Sequence, residues 1–482
     1  MLATPDDAGP STTTTPYVIS RWAIVTFLVL FGMNLLDYMD RNILSAVLPQ
    51  LTKPVEQKGL GLGLDQAGWL PSFFLASYVA FGLVMGWAGD RTRRTHLLFA
   101  GVGVWSLATV GSGFARSFEQ MGLARAFLGV GEATYGIIAP TLLMDLFPRE
   151  RRARVMSMFY LAMPLGSALG IILGGIIGKH FGWRTAFFVV GIPGLIAAFV
   201  ALLLPEPVRG ASEGIDPERV KAHEKAGATR ADYFDLMVNS SYTYSVLGMA
   251  FYTFAIGGMV YWVPYYLVNT RGMSQDKATF TLGIVTLGAA SLGMSVGGWL
   301  ADKLSKISPR ALFLVPGVAM LGSISFVLIG LHSSNLTWVF TGIFLAEMLM
   351  FVNTGPCNAI IANVVAPNMR AGAYAVALAC VHIFGDFWSN PLIGWVASTF
   401  GKADAMATPV GQWLARFGAV PMTPEGQAAE NVVAGLLVVV PALALSGIVL
   451  IAGARHLPRE MALMLAKLRA MPVASPNGTD AR

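Results

Sequence analysis

The chain has 482 residues, of which 55% are hydrophobic and only 12% charged, with a formal net charge of +6. Soluble domains carry nearer one quarter charged residues, so this composition excludes an ordinary water-soluble globule and points to a surface that faces lipid. The cations sit in short clusters between apolar runs, which excludes a nucleic-acid partner. The two cysteines, Cys357 and Cys380, lie inside apolar segments with neither metal-ligand nor disulfide spacing.

In chain order, residues 1–20 form a polar, acidic tail without a signal-peptide pattern, read as disordered and cytoplasmic. Twelve apolar segments follow, near 21–49, 66–89, 96–115, 118–145, 152–178, 184–204, 243–269, 279–302, 310–331, 336–364, 371–399 and 430–454. Each approaches the roughly 20 residues that cross a bilayer core. None alternates like a strand, so the backbone must satisfy itself as helix. The fold class expected is all-α integral membrane, with a six-helix bundle over 21–204 and another over 241–454. Residues 205–240, polar and rich in Gly and Pro, read as a cytoplasmic linker. Residues 455–482 read as a cytoplasmic tail, and HLPREMALMLAKLRA within it spaces its apolar and basic residues as a helix lying on the membrane surface.

The loops alternate in charge. Counted with both tails, one side carries 22 of the 33 Lys and Arg residues, the other 9, and Arg41 and Arg125 lie within spans. The positive-inside rule places the richer side and both termini in the cytoplasm, so the chain is expected as a multi-pass, monomeric protein of the cell inner membrane. Two loops on that side share a pattern. GWAGDRTRR at 86–94 and GWLADKLSK at 298–306 agree at Gly, Trp and Asp and keep a cation at two further places. Both follow the second span of their half. Six spans separate them, so the halves are parallel repeats about an axis along the membrane normal.

Ionisable groups inside spans are costly and are functional candidates by default. Span 1 holds Asp37, Asp40 and Arg41, span 4 Arg125 and Glu132, span 10 Glu347, and span 11 His382 and Asp386. Asp37 and Arg41 are four apart and share a helix face, whereas Asp40 points about a quarter-turn away. Desolvation favours the protonated form of a buried carboxylate and a nearby Arg the charged form; a carboxylate balanced between them can take and release a proton. His382 alone reads as structural. Gly166, Gly170, Gly174 and Gly178 in span 5 make a smooth stripe for close helix packing. Gly293-Met-Ser295-Val-Gly297 matches a nucleophile elbow, but it sits inside a membrane helix and lacks the strand-turn-helix context of a hydrolase. No enzyme is expected, and no cofactor or metal.

The two GW…D loops resemble the signature of the major facilitator superfamily, over residues 21–454 in all. The resemblance implies cytoplasmic latches that hold an outward-facing state, built here from Gly86, Asp90, Arg91 and Arg94 in one half and Asp302 and Lys303 in the other. LLDYMDRNILSAVLP, RAFLGVGEATYGIIAPT and ACVHIFGDFWSNPLIG resemble its spinster-like branch, through Asp40-Arg41, Arg125, Gly131-Glu132-Ala133 and Gly385-Asp386. Spinster-like carriers move lysophospholipids or sphingosine-1-phosphate. The resemblance implies alternating access coupled to protons, with Asp40 and Glu132 as proton carriers; Asp37 adds a further acid near that site as a third proton-coupling candidate. It implies Arg41 and Arg125 as the anion clamp; the intramembrane acids Glu347 and Asp386, and Tyr261 and Trp262 among the aromatics of span 7, are the further substrate-binding candidates. Two features depart from the branch: the acid at Asp37, and Ile171 where the antiporter motif of span 5 would place Pro. The span 1 sequence also resembles proton symporters of small carboxylates or sugar acids, which stand as the alternative. A passive channel or scramblase comes third, since a repeated latch implies two states to choose between.

Overall fold

The computed structural model describes residues 20–147, 149–207, 236, 238–365, 369–421 and 430–470. The linker, apart from 205–207, 236 and 238–240, and most of both tails lie outside the described residues. Twelve long helical segments follow one another: α1 (Arg21–Leu51), α2 (Leu64–Arg91), α3 (Arg94–Phe114), α4 (Phe118–Leu146), α5 (Arg154–Phe181), α6 (Trp183–Leu203), α7 (Ser240–Thr270), α8 (Gln275–Ser305), α9 (Ala311–His332), α10 (Leu336–Val364), α11 (Gly372–Thr399) and α12 (Val432–Gly453). All but α2 are long and apolar enough over an unbroken window to cross a membrane; α2 is a 28-residue helix packed among them. Polar residues at the loops start several helices. Ser117 caps α4, Asn239 caps α7, Asn335 caps α10 and Asn431 caps α12, each side-chain oxygen accepting from a backbone N–H of the first turn.

The packing repeats with a shift of six. In the first half α1 packs on α5, α2 on α4, and α3 on α4 and α6; in the second α7 packs on α11, α8 on α10, and α9 on α10 and α12. This is the two-bundle, pseudo-symmetric architecture expected from the repeated loops. The glycine stripe of α5 faces α1: Cβ atoms built on Gly166 and Gly170 would lie 2.6 Å from the Leu35 carbonyl oxygen and 2.4 Å from that of Met39. Only glycine permits that approach.

Two segments that look continuous in sequence are broken. Helix α10 is interrupted at Val352 and Asn353, and α11 at Gly385. The Gly293–Gly297 stretch lies within α8, as a membrane helix requires. A further helix, α13 (Leu457–Ala470), lies where the amphipathic segment was expected. Its Glu460 carboxylate accepts from the Ser240 and Ser241 N–H groups at 3.1 and 2.8 Å, and so ties α13 to the start of α7.

The bundles meet along α2–α11, α5–α8 and α1–α7. The bonds that join them gather at the end away from the basic loops. There Tyr261 donates to the Ala67 carbonyl at 2.7 Å, Ser72 to that of Phe387 at 2.6 Å and Gln275 to that of Ala46 at 2.8 Å, and Lys179 pairs with Asp276 at 2.7 Å. Backbones close on one another too, with Gly68 against Asn390 and Gly394 against Leu64, and Gly175 meets the Thr279 side chain.

Candidate functional site

Inside this closure lies a cavity between the bundles, about 760 Å³ with its open mouth included. The first half contributes Arg41, Asn42, Ser45 and Arg125 with Leu44, Pro71, Phe74, Leu75 and Leu128. The second contributes Tyr261, His382, Asp386 and Asn390 with Gly257 and Val260. Arg41 sits ten residues before the end of α1, about 15 Å along the helix at 1.5 Å per residue, so the site lies at mid-depth. One part of the wall is apolar and aromatic; the other carries fixed charge.

The acids and guanidinium groups of the first bundle form two sets. In one, Arg41 Nε donates to Glu132 at 2.6 Å and Arg41 Nη2 lies 3.3 Å from Asp37. The Arg41 guanidinium also lies about 5 Å from the rings of Tyr38, Phe74 and Tyr78, a geometry that holds a cation without neutralising it. In the other set, Asp40 faces Arg125 at 3.5 Å and accepts from the Thr109 hydroxyl, while Arg125 donates to Ser112 at 2.7 Å and lies over the Phe187 ring. The chain neighbours Asp40 and Arg41 therefore do not form one unit. Successive residues on a helix point about 100° apart, so one turns to α3 and α4 and the other to the cavity. Asp37, Asp40, Glu132 and Arg125 are 2% exposed or less, whereas the Arg41 side chain is 25% exposed. One oxygen of each carboxylate lacks a hydrogen-bond donor.

On the opposite wall, His382 Nδ1 lies 3.0 Å from Asp386. The pair spans the break at Gly385, and the His382 ring meets Tyr78 of the first bundle edge-on. His382, read from sequence as structural, thus belongs to the cavity. Tyr261 also lines it. The structure does not bring Trp262 or Glu347 there. Trp262 is fully buried between Tyr261 and Tyr265 and close to Gly394, because the next residue on the helix turns away from the face that Tyr261 occupies. Glu347 is fully buried within the second bundle. Sequence reading missed Tyr38, Tyr78, Thr109 and Asn390. Their signal was modest, a polar group in an otherwise apolar span; Asn390 is buried with its side-chain oxygen unpartnered at the cavity.

Of the latch residues, Gly86 and Asp90 lie outside those whose side-chain surroundings are described. Arg91 is exposed. Arg94 is 3% exposed and anchors its loop: it donates to Asp145 at 2.5 Å, to Glu206 at 2.9 Å and to the Pro207 carbonyl at 2.9 Å. Burial would raise the Glu206 pKa, but the Arg94 hydrogen bond, with that from the Thr95 N–H, holds it below the usual carboxylate range. In the second half Asp302 is exposed and Lys303 lies over the Trp299 ring at 5.0 Å.

A family model described as Major Facilitator Superfamily matches residues 30–385. The chain is 32% identical over 395 residues to protein spinster of Drosophila melanogaster, spanning 80% of this chain and 63% of that protein. It is 32% identical over 415 residues to spinster homolog 3 of Danio rerio, spanning 82% and 81%. It is 33% identical over 393 residues to the human spinster homolog 1, spanning 77% and 72%. In fold it is similar, with a TM-score of 0.73 and 21% identity, to a crystal structure of a bacterial homolog of the human lysosomal transporter spinster in an inward-facing, unoccupied conformation; 93% of this chain and 98% of that one are covered. A D-xylose–proton symporter follows at 0.66 and 16%, covering 90% and 97%. The chain belongs to the major facilitator superfamily and, within it, to the spinster family: it is a multi-pass membrane transporter and not an enzyme.

Proposed function

We propose that the chain is a proton-coupled secondary transporter that works by alternating access and carries an amphipathic anionic lipid, such as a lysophospholipid or a sphingosine-phosphate-like molecule. The observation that carries this reading is the Asp37–Arg41–Glu132 set on the wall of a cavity sealed at one end. Three buried acids face two guanidinium groups in the first bundle, so one proton makes the whole set neutral. An unpaired charge at this depth is costly. Arg41 cannot serve Asp37, Glu132 and a phosphate at the same time. When its planar fork turns to the phosphate, a carboxylate loses its cation and takes a proton; when substrate leaves, the proton follows. Asp40 is matched by Arg125 and Thr109, and in this reading holds Arg125 at the cavity edge. Asp386 and Tyr261 complete the polar wall, and the apolar wall around Phe74, Leu75, Leu128 and Val260 takes the acyl chain.

The gathering of inter-bundle bonds at the end away from the basic loops supports an inward-facing state, the state of the similar bacterial spinster structure, with both termini in the cytoplasm of a cell with an inner membrane. One chain supplies both walls of the cavity, so a monomer suffices. The latch loops act in the opposite, outward-facing state. Proton symport of small carboxylates remains the second reading, favoured by one observation: Arg41 and Arg125 both line the cavity. The test is the full chain in liposomes with an internal pH-sensitive dye, challenged with lysophospholipids, a sphingosine phosphate and small organic acids. A proton signal with the amphiphiles alone supports the lipid reading. A signal with the small acids alone replaces it with the second, and silence with every member of the panel sinks both.

A further inference from the structure

Glu347 stands apart from every charge described so far. It lies in the first part of α10 with no exposed surface, and neither carboxylate oxygen has a hydrogen-bond partner. Among the described residues it forms no ion pair. The buried faces of α7, α8 and α9, the helices that pack around α10, contain no Lys, Arg, His, Asp or Glu. They present oxygen instead: Thr286 of α8 and the Tyr252 phenol of α7 lie beside the carboxyl group, and the remaining titratable neighbour of Tyr252 is the buried thiol of Cys357 on α10 itself.

The surroundings are built rather than loose. Five and six residues after Glu347, α10 breaks at Val352 and Asn353. The Asn353 oxygen accepts from the Cys357 thiol at 2.5 Å, while its nitrogen is buried without a partner. On the facing helix, Cβ atoms on Gly293 and Gly297 would lie 2.3 and 2.4 Å from the Met348 and Val352 carbonyl oxygens. The α8 and α10 backbones are thus in direct contact from the residue after Glu347 to the break in α10. A bare carboxylate in this position would have no cation beside it and only the Thr286 and Tyr252 hydroxyls to offset its burial, which is costly. The group has to be held with one positive charge, and an oxygen-only shell with a single carboxylate suits a hard monovalent ion.

We propose that Glu347 is a second cation site, in the bundle opposite the Asp37–Arg41–Glu132 set, which binds one proton or one sodium ion at the α7–α8–α10 junction. Exchange of that ion adds or removes a full charge beside the break in α10, and so couples ion occupancy to the shape of the second bundle. The proposal does not require the first-bundle acids to be the coupling site.

The test is infrared difference spectroscopy of the full chain in lipid bilayers, titrated with pH in the presence and absence of sodium, with Glu347→Gln and Glu347→Asp as variants and Glu132→Gln as a control. A protonated-carboxyl band that is lost in Glu347→Gln, retained in Glu132→Gln and shifted in Glu347→Asp assigns the group. Loss of that band on raising pH, regardless of sodium, identifies a proton site; its loss at constant pH on adding sodium identifies a sodium site. In either case Glu347→Gln binds one fewer cation per chain. A band that persists at every pH and sodium concentration shows an inert neutral acid and overturns the proposal, as does the absence of any band that depends on Glu347. A missing Glu132 signal with an intact Glu347 signal would instead count against the reading of the first bundle.

Discussion

Gly175 is where the two bundles press hardest. It lies on α5, and a Cβ built there would fall 1.8 Å from Thr279 Oγ1, 2.5 Å from its Cβ and 2.7 Å from its Cγ2 on α8. Rotating the Thr279 side chain moves two of these atoms but leaves the third, so Gly175→Ala forces the helices apart. Overpacking of this kind costs about 1–3 kcal/mol. The strain exists only while this end is closed. The equilibrium should therefore move toward the state open at this end by about 5- to 140-fold, at 1.4 kcal/mol per tenfold. Spin labels at the exposed positions Phe181 and Lys277 report the gap by double electron–electron resonance. The expected result is a longer-distance population in Gly175→Ala that is absent or minor in the parent, and its reversal by Thr279→Gly, which removes all three clashing atoms. Identical distance distributions in parent and variant would refute the account of how the bundles close.

Three further expectations concern charge. Arg125→Ala leaves Asp40 buried without its cation, which should cost about 3–5 kcal/mol; Asp40→Asn combined with Arg125→Ala should be more stable than Arg125→Ala alone, as thermal unfolding in detergent can show. The Lys179–Asp276 pair is 39% and 24% exposed and should be worth about 0–1 kcal/mol, so that Lys179→Glu shifts the spin-label distances less than Gly175→Ala does, and Lys179→Glu with Asp276→Lys restores them. The Glu206 pKa is depressed in the folded chain. Its contribution to stability is therefore complete above the unfolded carboxylate value of about 4.3 and is lost as pH falls through the lower folded value. Acidification should destabilise the parent more than Glu206→Gln; equal acid profiles would show that the Arg94–Glu206 contact contributes nothing.

The twelve-segment layout and the two-fold repeat were legible because both rest on hydropathy and charge along the chain. Neighbour relations across helices were not. The four-residue spacing of Asp37 and Arg41 gave their contact correctly, since it is a property of one helix. Whether Asp40 met Arg41 or Arg125 depended on where α3 and α4 lie. The same spacing rule would have joined His382 to Asp386, but His382 was weighed as an isolated residue. The breaks at Val352–Asn353 and Gly385 fall inside long apolar segments, so a span-length hydropathy window passes over the Asn353-Thr354-Gly355-Pro356 and Gly385-Asp386 stretches that mark them. Glu347 shows the limit most plainly: sequence flags a costly acid, and only the packing separates it from the cavity.

The most direct measurement is proton uptake into liposomes under an imposed lysophospholipid gradient, comparing the parent chain with Glu132→Gln and following lipid exchange in parallel. The account predicts a substrate-driven pH change in the parent that disappears in Glu132→Gln while lipid exchange continues, since the anion clamp remains but the carboxylate that takes the proton does not. An undiminished pH change in Glu132→Gln would contradict it.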